Sequence, residues 1–240
     1  MKLTKLLTLP GLPALFLISP SGAVTLASDD FSYPDGSLTS NPAWDTHSGN
    51  EGDLLVSGEA AVVQHGAPSE DANLTFGTQS AGVLTATFDI TVNDDEIIGT
   101  SGTDFEYFAH FFTEGSFNFR SRVDVQAPTG GGDYTLGISS STSTAEATLT
   151  SDFSFGETVP VSIDFDFASG TASLTAGGET VFGEEDGAGQ SLDSFAFRQS
   201  DSSNNETVTV DNLVISTTIP EPSTALLSGI ALLGLLRRGR

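Results

Sequence analysis

The chain has 240 residues, 32 acidic and eight basic side chains, a formal net charge of −24, and no cysteine. Between residues 24 and 220 only Arg120, Arg122 and Arg198 are basic, so this stretch holds three cations against 31 acids, a net charge of −28. This composition excludes a disulfide framework and thiolate metal sites, and it disfavours nucleic acid and anionic membranes as partners. The acidic surface favours solubility, and it can also attract cations such as calcium.

The N terminus has the pattern of a secretory signal peptide over residues 1–23. Lys2 and Lys5 precede a short apolar run, and small residues end at Ala23, as a cleavage site requires. We predict export and cleavage by signal peptidase after Ala23, with Ala27 as the alternative position. An N-terminal membrane anchor is the competing interpretation, but the apolar run is short for a span.

The body, residues 28–217, alternates apolar and polar side chains with period two. The stretches 84–92, 119–125 and 159–167 each place apolar residues on one parity and polar residues on the other. This pattern predicts antiparallel strands with one buried and one solvated face. Frequent Gly, Ser and Pro turn signals, no helical period and no internal repeat together predict an all-β sandwich or jelly roll.

Two segments of the body depart from simple alternation. Residues 104–112 carry aromatic side chains on both parities, which predicts a central strand covered on both faces. The apolar parity changes between Val210 and Leu213, which predicts a β-bulge at Asp211 and Asn212.

The body resembles concanavalin A-like, laminin G-like jelly rolls. The matching stretches are Ser28–Tyr33 with Asp35-Gly36, Tyr134–Ile138, a hairpin over 159–174, and Val210–Ile215. Such folds include lectins, glycosidases, lyases and adhesion modules, so the resemblance implies an architecture and leaves the function open.

The C terminus joins three features in a fixed order. Pro220, Glu221 and Pro222 precede an apolar stretch at 223–236 and an arginine cluster at 237–240, including Arg237 and Arg238. The prolines keep the triplet extended and readable by a protease. The apolar stretch, predicted to be helical, is shorter than the roughly 20 residues that a bilayer core requires, and the arginines favour the cytoplasmic side.

This tail, residues 218–240, resembles the PEP-CTERM sorting signal of exopolysaccharide-producing Gram-negative bacteria. The resemblance implies transient insertion in the inner membrane, cleavage at the triplet by an exosortase, and delivery to the outer surface or the extracellular matrix. An ordinary C-terminal anchor is the alternative.

The body offers little recognisable chemistry. The carboxylate pair Asp164 and Asp166 lies on the predicted wet face of a strand, and other close acidic pairs do not match the sequence frame of retaining glycosidases of this fold. The three histidines are far apart in the chain, and His110 is expected to be a hydrogen-bonded core residue. We therefore predict no catalytic residues and no bound cofactor.

Two binding sites remain as hypotheses. If the segments 29–31 and 207–215 pair, Asp29, Asp30 and Asp211 converge and could hold calcium, although these acids also fit a plain charged surface. Trp44, the single tryptophan, could stack on a sugar ring, or it could cover the core.

The resulting functional hypothesis is a non-enzymatic matrix or surface protein with a structural or adhesive role, to which weak binding of extracellular polysaccharide is an optional addition. A carbohydrate-active hydrolase or lyase and a calcium-dependent lectin are the alternatives. An enzyme requires clustered polar side chains on one concave face of the sandwich, whereas such a face lined by Phe, Ser and Thr without a carboxylate pair would reject this alternative.

Overall fold

The computed structural model describes residues 22–66, 68–93, 107–116, 118–200 and 207–218. These residues form a short 3-10 helix (Leu38–Ser40) and sixteen strands: β1 (Ala23–Asp29), β2 (Gly36–Ser37), β3 (Trp44–Gly49), β4 (Leu55–Val56), β5 (Ala61–Gln64), β6 (Glu70–Gln79), β7 (Val83–Asn93), β8 (Tyr107–Phe112), β9 (Arg120–Gln126), β10 (Thr135–Ser139), β11 (Ala147–Thr148), β12 (Thr158–Asp166), β13 (Thr171–Ala176), β14 (Glu179–Phe182), β15 (Leu192–Arg198) and β16 (Thr207–Thr218).

The strands pair into two antiparallel sheets. The large sheet has nine strands in the order β14-β13-β12-β7-β16-β5-β4-β2, with β1 also paired to β16. The small sheet has seven strands in the order β11-β10-β9-β8-β15-β6-β3. Apolar side chains from both sheets form one continuous core cluster between them. The predicted all-β antiparallel sandwich of jelly-roll type is confirmed.

The long strands of the large sheet follow the predicted alternation. In β7, Leu84 and Ile90 are fully buried while Thr85 and Thr87 on the other parity keep solvent access. β12 and β13 form the predicted hairpin, in which Ile163 pairs with Leu174. Each apolar side chain removed from water contributes to stability in proportion to its buried area, so this parity fixes the register of the sheet.

The predicted bulge in β16 is present. The register between β7 and β16 shifts between Asp211 and Val214, and Asn212 has a positive φ of 55°. The extra residue changes the parity, so Val210 and Leu213 both reach the core. β1 pairs with β16 as expected, with Asp29 opposite Leu213, but the sandwich begins at Ala23 rather than at residue 28.

β8 lies in the middle of the small sheet, and all six of its residues are buried. The prediction of a central strand covered on both faces is confirmed for Tyr107–Phe112, while residues 104–106 lie outside the described residues. Its parity differs from the prediction because the register with β9 shifts twice. As a result Phe108 and Phe111 join the core, whereas His110 belongs to the opposite face.

The alternation predicted for residues 119–125 holds only on the core side of β9, and Phe119, which shares the parity of Val123, instead packs against His110 on the opposite face. Val123 and Val125 are buried in the core, as expected. The other parity is not wet: Asp124 is 1 % exposed and Arg122 is half-buried. A second layer of side chains therefore covers this face of the small sheet.

Several acidic side chains stabilise loops by accepting hydrogen bonds from the loop backbone, a role that composition alone does not reveal. The Glu70 carboxylate is fully buried and accepts hydrogen bonds from the Thr46 hydroxyl and from the backbone N–H groups of Gly52 and Leu54. The Asp152 carboxylate accepts from three backbone N–H groups of the loop at 129–132, and these bonds lower the pKa of Asp152. Part of the acidic excess is thus structural.

The predicted signal peptide, apart from its last positions, and the tail at 219–240 lie outside the described residues. Within the part of the chain that the structure does describe, no helix is long and apolar enough to cross a bilayer.

Candidate functional site

Polar and aromatic side chains gather on the outer face of the small sheet, the face turned away from the core. We call this group the outer cluster, and it comprises His47 of β3, Tyr107, His110 and Phe112 of β8, Phe119 and Arg122 at β9, and Arg198 of β15. The two bulges between β8 and β9 place Tyr107 and His110 there, because a bulge re-aims the side chains that follow it.

Tyr107 is the centre of the cationic part of the outer cluster. The guanidinium carbon of Arg198 lies 4.5 Å from the centre of its ring, and that of Arg122 lies 4.9 Å from it. Arg122 also lies 5.1 Å from the centre of the Phe119 ring. Such cation–π contacts stabilise a charge in a place with little water. Burial lowers the pKa of Arg122, although the group stays charged.

His110 is fully buried within this group. Its ring is nearly perpendicular to the rings of Tyr107 and Phe119, and the ring centres lie 5.3 Å and 4.9 Å from it, respectively. Neither ring nitrogen has a hydrogen-bond partner in the described part of the chain. Burial, with the nearby His47 and both arginines of the outer cluster, holds the pKa of His110 well below its ordinary value, so the imidazole is neutral.

His47 and Asp71 form the side of the outer cluster that is nearer to solvent. The His47 ring stacks on Phe112 at 4.7 Å, and its Nε2 lies 3.9 Å from an Asp71 carboxylate oxygen. Burial lowers the pKa of His47 and raises that of Asp71 to about 6, the latter against the opposing effects of Arg198 and a hydrogen bond from Ser48. Burial thus disfavours the charged form of both groups relative to the same side chains in water.

Arg120 and Arg122 stand two positions apart on β9 and differ in their partners. Arg120 forms an ion pair with Asp186 at 2.8 Å and donates a hydrogen bond to the Gln190 side chain. Arg122 donates a hydrogen bond to the Ser141 carbonyl and another to the Tyr107 phenol oxygen. The buried Nε atoms of both arginines have no acceptor among the described residues. No carboxylate of those residues lies within ion-pairing distance of Arg122.

The proposed stacking role of Trp44 is wrong. The side chain is 1 % exposed and stacks on Phe197 at 5.2 Å, so no sugar can reach its ring. Its indole N–H donates to Asp29 at 2.7 Å. The other interpretation holds: Trp44 packs into the core from β3.

The calcium hypothesis for Asp29, Asp30 and Asp211 is not supported in that form. Asp29 accepts hydrogen bonds from Trp44, Tyr33 and the Phe31 backbone, and Asp30 accepts from Ser32. Asp211 accepts from the bulge residue Asn212. Across the described ranges, no group of three or more His, Asp or Glu side chains is arranged to hold a metal ion, so the three acids do not converge.

The carboxylate pair at Asp164 and Asp166 lies on the outer face of the large sheet, as predicted. Asp164 accepts hydrogen bonds from Thr85 and Ser173, its neighbours across the sheet. Asp166 caps the following turn by accepting from the Ala168 N–H. Both carboxylates are therefore occupied as ordinary strand and turn residues, and neither lies near the outer cluster.

Sequence reasoning missed the outer cluster. Its members are spread from His47 to Arg198, and pairing between distant strands brings them together. One signal was available: the body has three arginines, and two of them belong to this cluster.

Residues 218–240 match the family model described as the PEP-CTERM protein-sorting motif. The chain carries a PEP-CTERM sorting signal. The PEP-CTERM motif indicates export, processing by an exosortase, and sorting to the cell surface or the extracellular space. The sorting residues Pro220, Glu221 and Pro222 and the arginines Arg237 and Arg238 all lie inside the matched range. No curated protein sequence matches the chain.

The sandwich is similar to solved structures of a sialidase and of two lectins. A sialidase matches with a TM-score of 0.56 and 15 % identity over 81 % of the chain, which spans 18 % of the sialidase. Peanut lectin matches with a TM-score of 0.52 and 11 % identity, covering 82 % of this chain and 98 % of the lectin. The lectin UEA-II, complexed with galactose, matches with a TM-score of 0.50 and 13 % identity over 84 % of this chain and 100 % of that lectin. At these identities the likeness shows the fold alone, that of concanavalin A-like jelly rolls.

Proposed function

We propose that this protein is a non-catalytic glycan-binding component of the extracellular matrix or outer surface of a Gram-negative bacterium. The sorting motif supplies the route, with a signal peptide, an inner-membrane stage and an exosortase. The observation that carries the binding function is the outer cluster, where aromatic rings and guanidinium groups meet at the surface of one sheet.

The chemistry of the outer cluster suits saccharides. Sugar rings stack on aromatic faces through their C–H groups, and their hydroxyls accept hydrogen bonds from guanidinium and imidazole groups. Phe119, His47 and both arginines of the outer cluster are only half-buried, so a ligand has access to the cluster from outside. Tyr107 and His110 behind them are held by packing, which reduces the entropy lost on binding.

The test is a glycan array probed with the full chain, purified in mild detergent. We expect binding to a subset of bacterial surface polysaccharides. The double variant Tyr107→Leu with Arg198→Gln should lose this binding, while Asp166→Asn on the large sheet should keep it. Thermal unfolding of each variant separates loss of the site from loss of the fold. Absence of any bound glycan contradicts the proposal.

A carbohydrate-active enzyme is the second candidate, and one observation favours it. The outer face of the small sheet is not lined by Phe, Ser and Thr, the condition that would have rejected an enzyme. Instead it holds a neutral imidazole at His110 beside the Tyr107 phenol and two arginines. Such groups can accept a proton and stabilise developing negative charge, as a polysaccharide lyase requires.

The two candidates differ in their products. An enzyme releases shortened or unsaturated sugars from a bound polysaccharide, whereas a binding protein returns the polymer unchanged. Incubation with each glycan that binds on the array, followed by assay of new reducing ends and of unsaturated products, decides between them. We expect none; products that disappear in His110→Ala would replace the binding proposal with catalysis.

A further inference from the structure

Arg122 is an exception in a chain that has carboxylates in excess. The body holds 31 acids and three cations, so we expect an arginine in this fold to have a carboxylate as a neighbour. Arg120, on the same strand, has done so with Asp186 at 2.8 Å. Arg122 is half-buried, contacts two aromatic rings, and has no carboxylate at ion-pairing distance among the described residues.

An arginine held in this way carries a cost. Partial burial of a charge without a counter-ion destabilises the fold, and the lowered pKa of Arg122 reflects that burial. The cation–π contacts with Tyr107 and Phe119 offset only part of it. An external anion would complete the coordination, because a guanidinium group presents a planar fork of donors that matches a carboxylate or sulfate.

Unsatisfied polar atoms surround the same place. The buried Nε of Arg122, the Nδ1 of His47 and both ring nitrogens of His110 have no hydrogen-bond partner in the described residues. The rings of His47 and His110 lie 6.3 Å apart, so these atoms belong to one region. Buried polar groups are nearly always paired, and several unpaired ones together mark a place that a ligand or ordered water completes.

From these observations we infer that the outer cluster binds an acidic saccharide, one that bears a carboxylate or sulfate group, with Arg122 as the residue that pairs with the anion. This inference rests on the proposed glycan-binding function and specifies its ligand class. The aromatic rings of the outer cluster provide the contact for the sugar ring. The acidic remainder of the body repels polyanions, so binding depends on this one local pairing and is selective for chains that fit it.

The test compares Arg122→Gln with Arg120→Gln, which removes the same charge from the same strand. The probes are alginate as a polyuronate, dextran sulfate as a sulfated chain, and dextran as a neutral chain, and binding is measured with the full chain by calorimetry. We expect Arg122→Gln to weaken binding of at least one acidic probe by about tenfold or more, since charge-assisted hydrogen bonds are lost. Arg120→Gln should stay within about twofold of the natural protein.

Arg122→Lys serves as a second variant in case Arg122→Gln fails to fold. It keeps the charge and loses the fork, so it should weaken binding by a smaller factor while thermal unfolding stays close to that of the natural protein. Preference for alginate over dextran sulfate, or the reverse, identifies the anion, and either supports the inference.

Three results would overturn it. Equal binding of dextran and the acidic probes, or unchanged binding of the acidic probes by both Arg122 variants, removes the role of the anion and leaves glycan binding itself intact. Failure to bind any of the probes, together with an empty glycan array, removes both the inference and the proposed function.

Discussion

The outer faces of the two sheets lie in opposite environments. On the large sheet, Thr85, Thr87 and Asp164 remain accessible to solvent, and Thr85 donates a hydrogen bond to Asp164 across the strands. On the small sheet, the corresponding positions hold His110 and Asp124, which are 0 % and 1 % exposed. One face is a plain solvated surface, whereas the other is a second, polar interior.

The difference between the two faces shows which part of the fold contains destabilising polar groups. A buried polar group without a partner costs about 1–3 kcal/mol, and four atoms that lack one among the described residues lie in the outer cluster: the Nδ1 of His47, both ring nitrogens of His110 and the Nε of Arg122. The large sheet pairs the side chains of its outer face with cross-strand partners, as in Thr85 and Ser173 with Asp164. A face that keeps unsatisfied donors and acceptors at such a cost is the face on which a binding function is expected.

The largest effect expected from this contrast comes from placing one glutamine on each face. Ala196 is fully buried on the outer face of the small sheet, opposite His110 and Asn73, while Thr87 is exposed on the large sheet. Ala196→Gln should lower the free energy of unfolding by about 4 kcal/mol, from overpacking and a buried amide, and Thr87→Gln should change it by less than about 0.5 kcal/mol. Urea unfolding measures both, and equal effects would mean that the two faces do not differ.

A smaller effect is expected on replacing the buried histidine. The low pKa of His110 means that the unfolded chain takes up a proton below about pH 6.5 while the folded protein does not, so stability falls as the pH falls. His110→Phe removes this penalty and the unpaired ring nitrogens. The variant should be more stable by about 1 kcal/mol at pH 7 and by about 3 kcal/mol at pH 5. A gap that stays constant with pH would show that His110 has the same pKa in the folded protein as in the unfolded chain, and would contradict the prediction.

Asp71 should show the opposite pH dependence. Burial raises its pKa to about 6 from 3.8, so the folded protein holds a proton that the unfolded chain releases. Its contribution to stability is complete below about pH 4 and is lost as the pH rises through about 6. Asp71→Asn should therefore be more stable than the natural protein by about 2 kcal/mol at pH 7 and equal to it at pH 4. Asp45→Asn, an exposed position of β3, controls for the lost charge.

The smallest effect is expected at the carboxylate pair of the large sheet. Asp166→Asn keeps an oxygen for the Ala168 N–H and should change the free energy of unfolding by less than about 0.5 kcal/mol. Glycan binding should be unchanged. A loss of binding with the fold intact would move the functional face from the small sheet to the large sheet.

The strands of the large sheet and their buried faces could be predicted from the sequence, because one face of each long strand is apolar and the other is polar. The bulge at Asn212 was predictable for the same reason, since the parity changes within a single strand. The bulges between β8 and β9 left no such mark, because β8 is apolar on both parities and any register looks alike. The placement of Tyr107 and His110, and with it the outer cluster, therefore depended on the pairing of strands that are distant in the chain.

The predicted binding residues failed for a related reason. Trp44, Asp29 and Asp30 were selected for their chemistry, yet local turns and core packing already occupy them. An acidic side chain that accepts hydrogen bonds from nearby backbone N–H groups stabilises a turn and is less available to a ligand. The positions of these N–H groups depend on the folded backbone, so they cannot be read from the sequence.

The pairing of Ala23 with Thr218 in the large sheet has a consequence for engineering and for attachment. A segment fused before Ala23 and a segment fused after Thr218 are therefore attached at neighbouring positions, at the same end of paired strands β1 and β16. The two ends of the sandwich are therefore close together in space. A circular permutant with a short Gly-Ser linker between Thr218 and Ala23, and new termini at the exposed turn Gly177-Gly178, should fold to the same sandwich. In the cell, the same geometry means that attachment through either terminus holds the sandwich at the same place on its surface.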